Sequence, residues 1–204
     1  YKICEAVAVD KTDDSVYIAV EPDSSISSII LVKLDSSGTI LWQQEIDDIG
    51  YEYPTAIALD SSRNIYVVGG TGSQGAGYWD VLIVKFDSSG NVLWQQTIGT
   101  SNYDYGYGVA VDSSDNVYIT GSCYTSSDDA LIVKLDSSGN VLWQQTIDGG
   151  NSEYGFGVAV DSSNNVYVVG STYSQGAGGS DALIVKFDSS GNTLWQKTVG
   201  TSSN

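Results

Sequence analysis

Three segments place a carboxylate beside aromatic rings at matching points of the chain: Tyr51-Glu52-Tyr53, Tyr103-Asp104-Tyr105 and Ser152-Glu153-Tyr154. A flat ring can stack on the C–H face of a sugar while a neighbouring acid accepts its hydroxyls, and repeated copies would add avidity. Four more aromatics, Tyr78, Trp79, Tyr124 and Tyr173, lie in segments that repeat less closely, and Trp79 is the best single candidate for a ligand contact. The plainer reading is that these rings cover the apolar ends of structural units while the acids are solvated or hold loop N–H groups. Catalysis has little to draw on. The chain has no His, so a Ser-His-Asp triad, a Cys-His pair and a His-ligated metal are excluded. Glycosidase-type chemistry needs two acids in unlike environments, and acids copied around a repeat share one environment. No catalytic residue and no enzyme are expected.

Calcium is the metal that so many Asp, Asn and Ser oxygens could take. No D-x-D-x-D-G run occurs, however, and the recurrent Asp of Asp-Ser-Ser has a sufficient role in turns, so no cofactor is expected. Lys33, Lys85, Lys134 and Lys186 each interrupt an apolar run once per repeat. A buried ammonium needs a partner, which predicts a structural ion pair with a repeating Asp in each unit. Cys4 and Cys123 fall in the first and third repeats, and bridging them would need a loop to bend inward, because a disulfide holds its Cα atoms within about 7 Å.

The elements that must position these groups are repeated four times. DSSGNVLWQQTI stands at Asp87 to Ile98 and again at Asp136 to Ile147, with looser copies from Asp35 and Asp188; the four start 52, 49 and 52 residues apart. A second motif keeps step with it, as in GVAVDSSDNVYITGS from Gly108. Such a period suits propeller blades. Each repeat reads as four strands, A to D. Strands B and C are apolar at successive positions, so both faces of each sheet must be covered. The A-to-B and C-to-D links, DSSxN and DSSGN, are tight hairpins in which Asp holds backbone N–H groups. Residue size grows outward, from Ala58 on A through Tyr66 on B to Trp94 on D, as a radial wedge requires. The longer, aromatic D-to-A and B-to-C loops therefore share the face opposite the hairpins.

GVAVDSSxNVYVVGS followed by DALIVKFDSSGNVLWQ resembles the SBBP-type β-propeller repeat of secreted and surface proteins of bacteria and archaea, over the whole chain. That resemblance implies a blade fold and almost nothing about activity. DSSGNVLW is also similar to the Trp-docking repeat of quinone-dependent dehydrogenases and to the Asp-box of sialidases, but the spacing departs from both and no cofactor is carried over. Repeat 1 departs most: Ser28 replaces the Asp of Asp80, Asp129 and Asp181, and Tyr1-Lys2-Ile3 replaces the aromatic-acid pattern.

The expectation is an all-β propeller of four four-stranded antiparallel blades, residues 1–50, 51–102, 103–151 and 152–204, closed into one ring. Two chains in one eight-bladed ring, or a piece of a longer array, are the alternatives. A net charge of −17, from 25 acidic against 8 basic residues, speaks against nucleic acid. No apolar run is long enough to insert in a membrane as a helix. The chain contains no Met, so residue 1 is not expected to be a translation start. The function expected is a non-catalytic extracellular or cell-surface module that binds a glycan or another surface protein. The alternative is a self-associating structural protein.

Overall fold

The computed structural model describes residues 3–21, 28–46 and 52–201. Sixteen strands and, among the described residues, no helix make up the fold, and each consecutive set of four forms one antiparallel sheet. Blade 1 holds β1 (Ile3–Val9), β2 (Val16–Glu21), β3 (Ile29–Leu34) and β4 (Ile40–Ile46). Blade 2 holds β5 (Glu52–Leu59), β6 (Ile65–Thr71), β7 (Asp80–Phe86) and β8 (Val92–Ile98). Blade 3 holds β9 (Asp104–Val111), β10 (Val117–Tyr124), β11 (Asp128–Leu135) and β12 (Val141–Ile147). Blade 4 holds β13 (Glu153–Val160), β14 (Val166–Thr172), β15 (Asp181–Phe187) and β16 (Thr193–Val199).

The turns are set by their first residue. Asp112 accepts the N–H groups of Ser114 at 2.8 Å and Asn116 at 2.9 Å on one oxygen, and the Asn116 amide at 2.9 Å and the Tyr118 hydroxyl at 3.0 Å on the other. The fourth turn residue adopts the left-handed region, as Asp115 (φ 61°) in this A-to-B turn and Gly139 (φ 91°) in the C-to-D turn that follows. One carboxylate thus closes the hairpin and fixes the hydroxyl of a buried ring.

In each sheet one row of facing residues crosses all four strands: Ala58, Tyr66, Lys85 and Trp94 in blade 2, with Ala110, Tyr118, Lys134 and Trp143 in blade 3. Rings in this row meet edge to face, Tyr66 with Trp94 at 6.0 Å and Tyr118 with Trp143 at 6.0 Å, an arrangement the aromatic quadrupole favours. The lysine between them lies over the Tyr ring in all four blades, 4.8 to 5.1 Å from its centre. The ion pair expected in each blade is present for Lys85 with Asp60 (3.4 Å) and Lys186 with Asp161 (3.7 Å). Lys134 instead donates to the Ser189 carbonyl at 3.1 Å, so the ring and a carbonyl replace the carboxylate there.

Three hydrophobic clusters lie between blades 1 and 2, 2 and 3, and 3 and 4. Every residue of β6 and β7 is buried, which is why their apolar residues run without alternation. In β15 burial alternates, because one face of blade 4 is open. Val7 and Val9 of blade 1 are likewise 62% and 51% exposed. The fourfold ring expected from the sequence does not close among the described residues: the sheets form an arc with blades 1 and 4 at its ends.

Candidate functional site

The A strands β1, β5, β9 and β13 contact one another in series along the inner edge of the arc. Strands β5, β9 and β13 each carry a bulge, between Pro54 and Ala56 in β5, near Gly106 and Gly108 in β9, and between Gly155 and Gly157 in β13. A bulge leaves one residue outside the ladder and turns it outward; here these are Thr55, Tyr107 and Phe156. It also drops a carbonyl onto the neighbouring B strand. A Cβ at Gly121 would stand 1.8 Å from the Tyr105 carbonyl oxygen, and Gly69 and Gly170 are under the same constraint from Tyr53 and Tyr154.

Tyr103, just before β9, and Tyr105 and Tyr107 within it are spaced two residues apart, and their rings form one row. They stack, Tyr103 on Tyr105 at 6.4 Å and Tyr105 on Tyr107 at 6.3 Å between centres. The row continues at one end to Tyr78 (5.1 Å from Tyr103) and at the other to Phe156 (5.7 Å from Tyr107) and Tyr154 (6.0 Å from Phe156). Trp79 wedges between Tyr53 at 5.4 Å and Tyr105 at 6.3 Å. Its backbone is tied to blade 3, where Asp104 N–H donates to the Trp79 carbonyl at 2.8 Å. A ladder of rings from three blades results, with Tyr78, Tyr103 and Phe156 exposed and the others half-buried. The Tyr154 hydroxyl donates to Asp128 at 2.6 Å, and that bond holds the phenol pKa up.

The acids of the same three segments point away from the rings. Glu52, Asp104 and Glu153 are 3%, 0% and 0% exposed, because strand alternation sends the residue before each Tyr to the opposite face, into the seam between blades. Glu153 accepts Thr172 at 2.8 Å and the Gly149 N–H at 2.7 Å, while Glu52 accepts Thr71 at 3.2 Å and Ser73 at 3.0 Å. In blade 3 the place of those threonines is taken by Cys123, opposite Asp104. One Asp104 oxygen accepts Thr100 through its N–H at 2.7 Å and its hydroxyl at 3.0 Å; the other is buried with no partner among the described residues. Burial raises the pKa of both Glu52 and Asp104, with the Asp80 charge adding to the rise at Asp104. The sugar-hydroxyl role envisaged for these three acids does not fit their placement.

Tyr124 and Tyr173 are exposed and, among the described residues, stand apart from the ladder; their N–H groups donate to Tyr103 and Ser152 carbonyls at 3.0 Å. Tyr51 lies outside the described residues, as does the Cys4 side chain. Cys123 is buried as a free thiol, its pKa pushed up to about 12 by burial and the nearby Asp104 charge, which leaves it unreactive. Asp129, Asp148 and Glu153 come close enough, with carboxylate atoms within 4.8 Å of one another, to gather a hard cation such as calcium. Asp129 and Glu153 already accept hydroxyl or N–H donors there. Tyr107 and Phe156 belong to the ladder and were not among the sequence candidates. Their signal was the GYG and GFG triplets at the bulge, with the Tyr-x-Tyr-x-Tyr alternation before it.

Bladed sheets with glycine-bulged inner strands and Trp-docked turns define a β-propeller repeat protein. A family model described as outer membrane protein assembly factor BamB matches residues 80–204, and the chain belongs to that family. This corrects the SBBP-type assignment. The Asp-Ser-Ser turn and Trp strand that carried the resemblance are what any such blade needs, so they do not separate propeller families.

An uncharacterised WD repeat-containing protein of Acanthamoeba polyphaga mimivirus is 27% identical over 120 residues, 48% of this chain and 9% of that protein. The chain thus spans less than a tenth of the length of that relative. Among solved structures, a protein of unknown function from Dyadobacter fermentans has a TM-score of 0.64 at 12% identity, over 96% of this chain and 68% of its own. A gluconolactonase from Xanthomonas campestris has a TM-score of 0.56 at 14% identity, over 94% of this chain and 60% of its own. At such identities the likeness is one of fold, and it includes an enzyme, so it does not separate enzymes from binding proteins.

Proposed function

We propose that the chain is a non-catalytic binding module, acting outside the cell or at its surface, that lays an extended glycan along the aromatic ladder of β5, β9 and β13. The half-exposed stack of Tyr103, Tyr105 and Tyr107 carries this reading. A soluble protein gains nothing in stability from leaving such a row open to water, and large exposed aromatic surfaces mark interaction sites. Phenol rings offer flat apolar faces and hydroxyl rims, which suits sugars. The lack of His supports a role without catalysis.

Membership of a family described as an assembly factor for outer membrane proteins favours a second reading, in which the same row takes an extended aromatic stretch of a protein. The test is binding of the purified chain to a broad glycan array, with calcium and with a chelator, beside an array of apolar peptides. The expected result is saturable glycan binding that Tyr105→Ala weakens on the order of thirtyfold, as for a central hot spot worth about 2 kcal/mol. Peptide binding alone would favour the second reading. A blank on both arrays would remove the ladder as a binding surface.

A further inference from the structure

One residue beside the ladder breaks the repeat. Trp79 directly precedes Asp80 at the start of β7, and the matching place in blade 3, directly before Asp129, is held by Asp128. Trp79 packs on Tyr105 of the next blade at 6.3 Å, and Asp128 meets the equivalent ring one blade further on, accepting the Tyr154 hydroxyl at 2.6 Å. Blade 4 has Ser180 at this place. Three blades thus carry three different residues there, so the scaffold itself does not require an acid.

Asp128 is half-buried, and only one of its oxygens has a donor among the described residues. Its charge reaches along the row. Burial raises the pKa of the Tyr105 and Tyr107 phenols, and Asp128 adds to the rise at both. The described basic side chains are placed elsewhere. Lys33, Lys85, Lys134 and Lys186 lie over tyrosine rings within the blades, and Lys197 is opposite Ile184 in the outer strand β16. Arg63 pairs with Asp10 and Asp13 at the A-to-B turns, where Lys11 also stands. Among the described residues, no ion pair reaches Asp128.

A half-exposed carboxylate without a cation, set against tyrosine rings, is chemistry that receives an organic ammonium. The ring quadrupole attracts a cation over its face, the carboxylate supplies the opposite charge, and a net charge of −17 gathers cations around the chain. A metal ion fits less well, because calcium takes about six to eight oxygens and one carboxylate among rings offers few.

We propose that the glycan received by the ladder carries free amino groups, as a chain of glucosamine-type sugars does, and that Asp128 with Tyr107 and Tyr154 holds one of these ammonium groups. On the glycan reading above, on which this rests, sugar rings lie along the aromatic row and the amine selects among sugars. An N-acetyl group or a hydroxyl at the same carbon leaves the Asp128 charge unpaired.

The experiment is titration calorimetry of the full chain with three oligosaccharides of equal length and linkage, built from glucosamine, N-acetylglucosamine and glucose. The glucosamine chain is expected to bind on the order of tenfold tighter than the other two. Added salt should shrink that margin, since it screens the half-exposed charge. Asp128→Asn keeps an acceptor for the Tyr154 hydroxyl and removes the charge, so it should bring the three affinities within about threefold of one another. Tyr105→Ala should weaken all three. Equal affinities in the wild type, or a preference that survives Asp128→Asn, would overturn the proposal and leave the glycan reading in place. Binding of none of the three would remove both, and oligolysine bound in their stead would point to a protein partner. Were Asp128→Asn to unfold, the wild-type preference and its salt dependence would still decide.

Discussion

At the hairpin end of the blades, Asp87, Asp136 and Asp188 are partly open to water, and hydrogen bonds from Asn91, Asn140 and Asn192 hold their pKa values below the ordinary range. At the loop end, Glu52 and Asp104 are buried in the seams and burial raises theirs. Both sets are repeated acids in the same sheets. The hairpin acids do one local job, closing a turn, and need no other blade. The loop-end acids sit where two blades meet under a row of aromatic rings, so their state depends on how the blades are assembled. Chemistry that recurs identically is therefore structural at the first end, and what varies at the second, Cys123 for Thr71 or Tyr107 for Thr55, is where a particular protein departs from its repeat.

The sharpest way to break this contrast is through the backbone. Gly121→Ala puts a Cβ 1.8 Å from the Tyr105 carbonyl oxygen, so the bulge that aims Tyr107 must open; a loss of about 3 kcal/mol is expected, the upper range for overpacking. Gly38→Ala, at the hairpin end, has open space and faces only the cost of a positive φ of 85°, about 1 kcal/mol. Denaturant unfolding of both variants measures the difference, and equal losses would show that the bulge is not tightly packed. Next in size is Asp112→Ala. It strands the buried Tyr118 hydroxyl and frees three turn donors, for about 2 kcal/mol. Asp136→Ala removes similar turn bonds near the surface and should lower the melting temperature less.

How far the sequence could be read follows the same division. The DSSxN and DSSGN links were legible because each turn is determined within five residues by one Asp and one left-handed position, and the Ala-Tyr-Lys-Trp gradient was legible because it repeats. The orientation of Glu52, Asp104 and Glu153 was open to the same reasoning, since alternation along a strand already separates an acid from its neighbouring Tyr. Treating those segments as loops hid it, whereas β5, β9 and β13 begin at these acids. Closure was not legible. It depends on the angle between blades, which no single motif sets.

The pH dependence separates the two sets of acids by sign. For Asp104 the folded pKa lies above the unfolded value of about 3.9. Below that value both states hold the proton and nothing is lost. As pH rises through it the unfolded chain ionises first, so stability falls until the folded pKa is passed. Asp104→Asn should therefore raise the melting temperature near pH 7 and leave it unchanged below about pH 4. For Asp161, whose pKa the Asn165 hydrogen bond lowers to about 2, the order reverses: its contribution is present above about pH 4 and is lost as pH falls to about 2. Melting curves of Asp104→Asn and Asp161→Asn from pH 2 to 8 test both signs, and a parallel response would mean that the two ends share one environment.

The smallest effect is expected at Tyr173, and it bears on what the ladder is for. Tyr173 is 53% exposed and, among the described residues, touches no other ring, so Tyr173→Ala should change stability by less than about 0.5 kcal/mol. Tyr105 stacks between Tyr103 and Tyr107 and faces Trp79, so Tyr105→Ala should cost more, about 1 kcal/mol from lost ring pairs. If the ladder serves only to cover the blades, that stability loss is all Tyr105→Ala will show. If it receives a ligand, ligand added at saturation should raise the melting temperature of the wild type and of Tyr173→Ala alike, and raise that of Tyr105→Ala clearly less. Stability and ligand response then separate a ring that packs from a ring that binds.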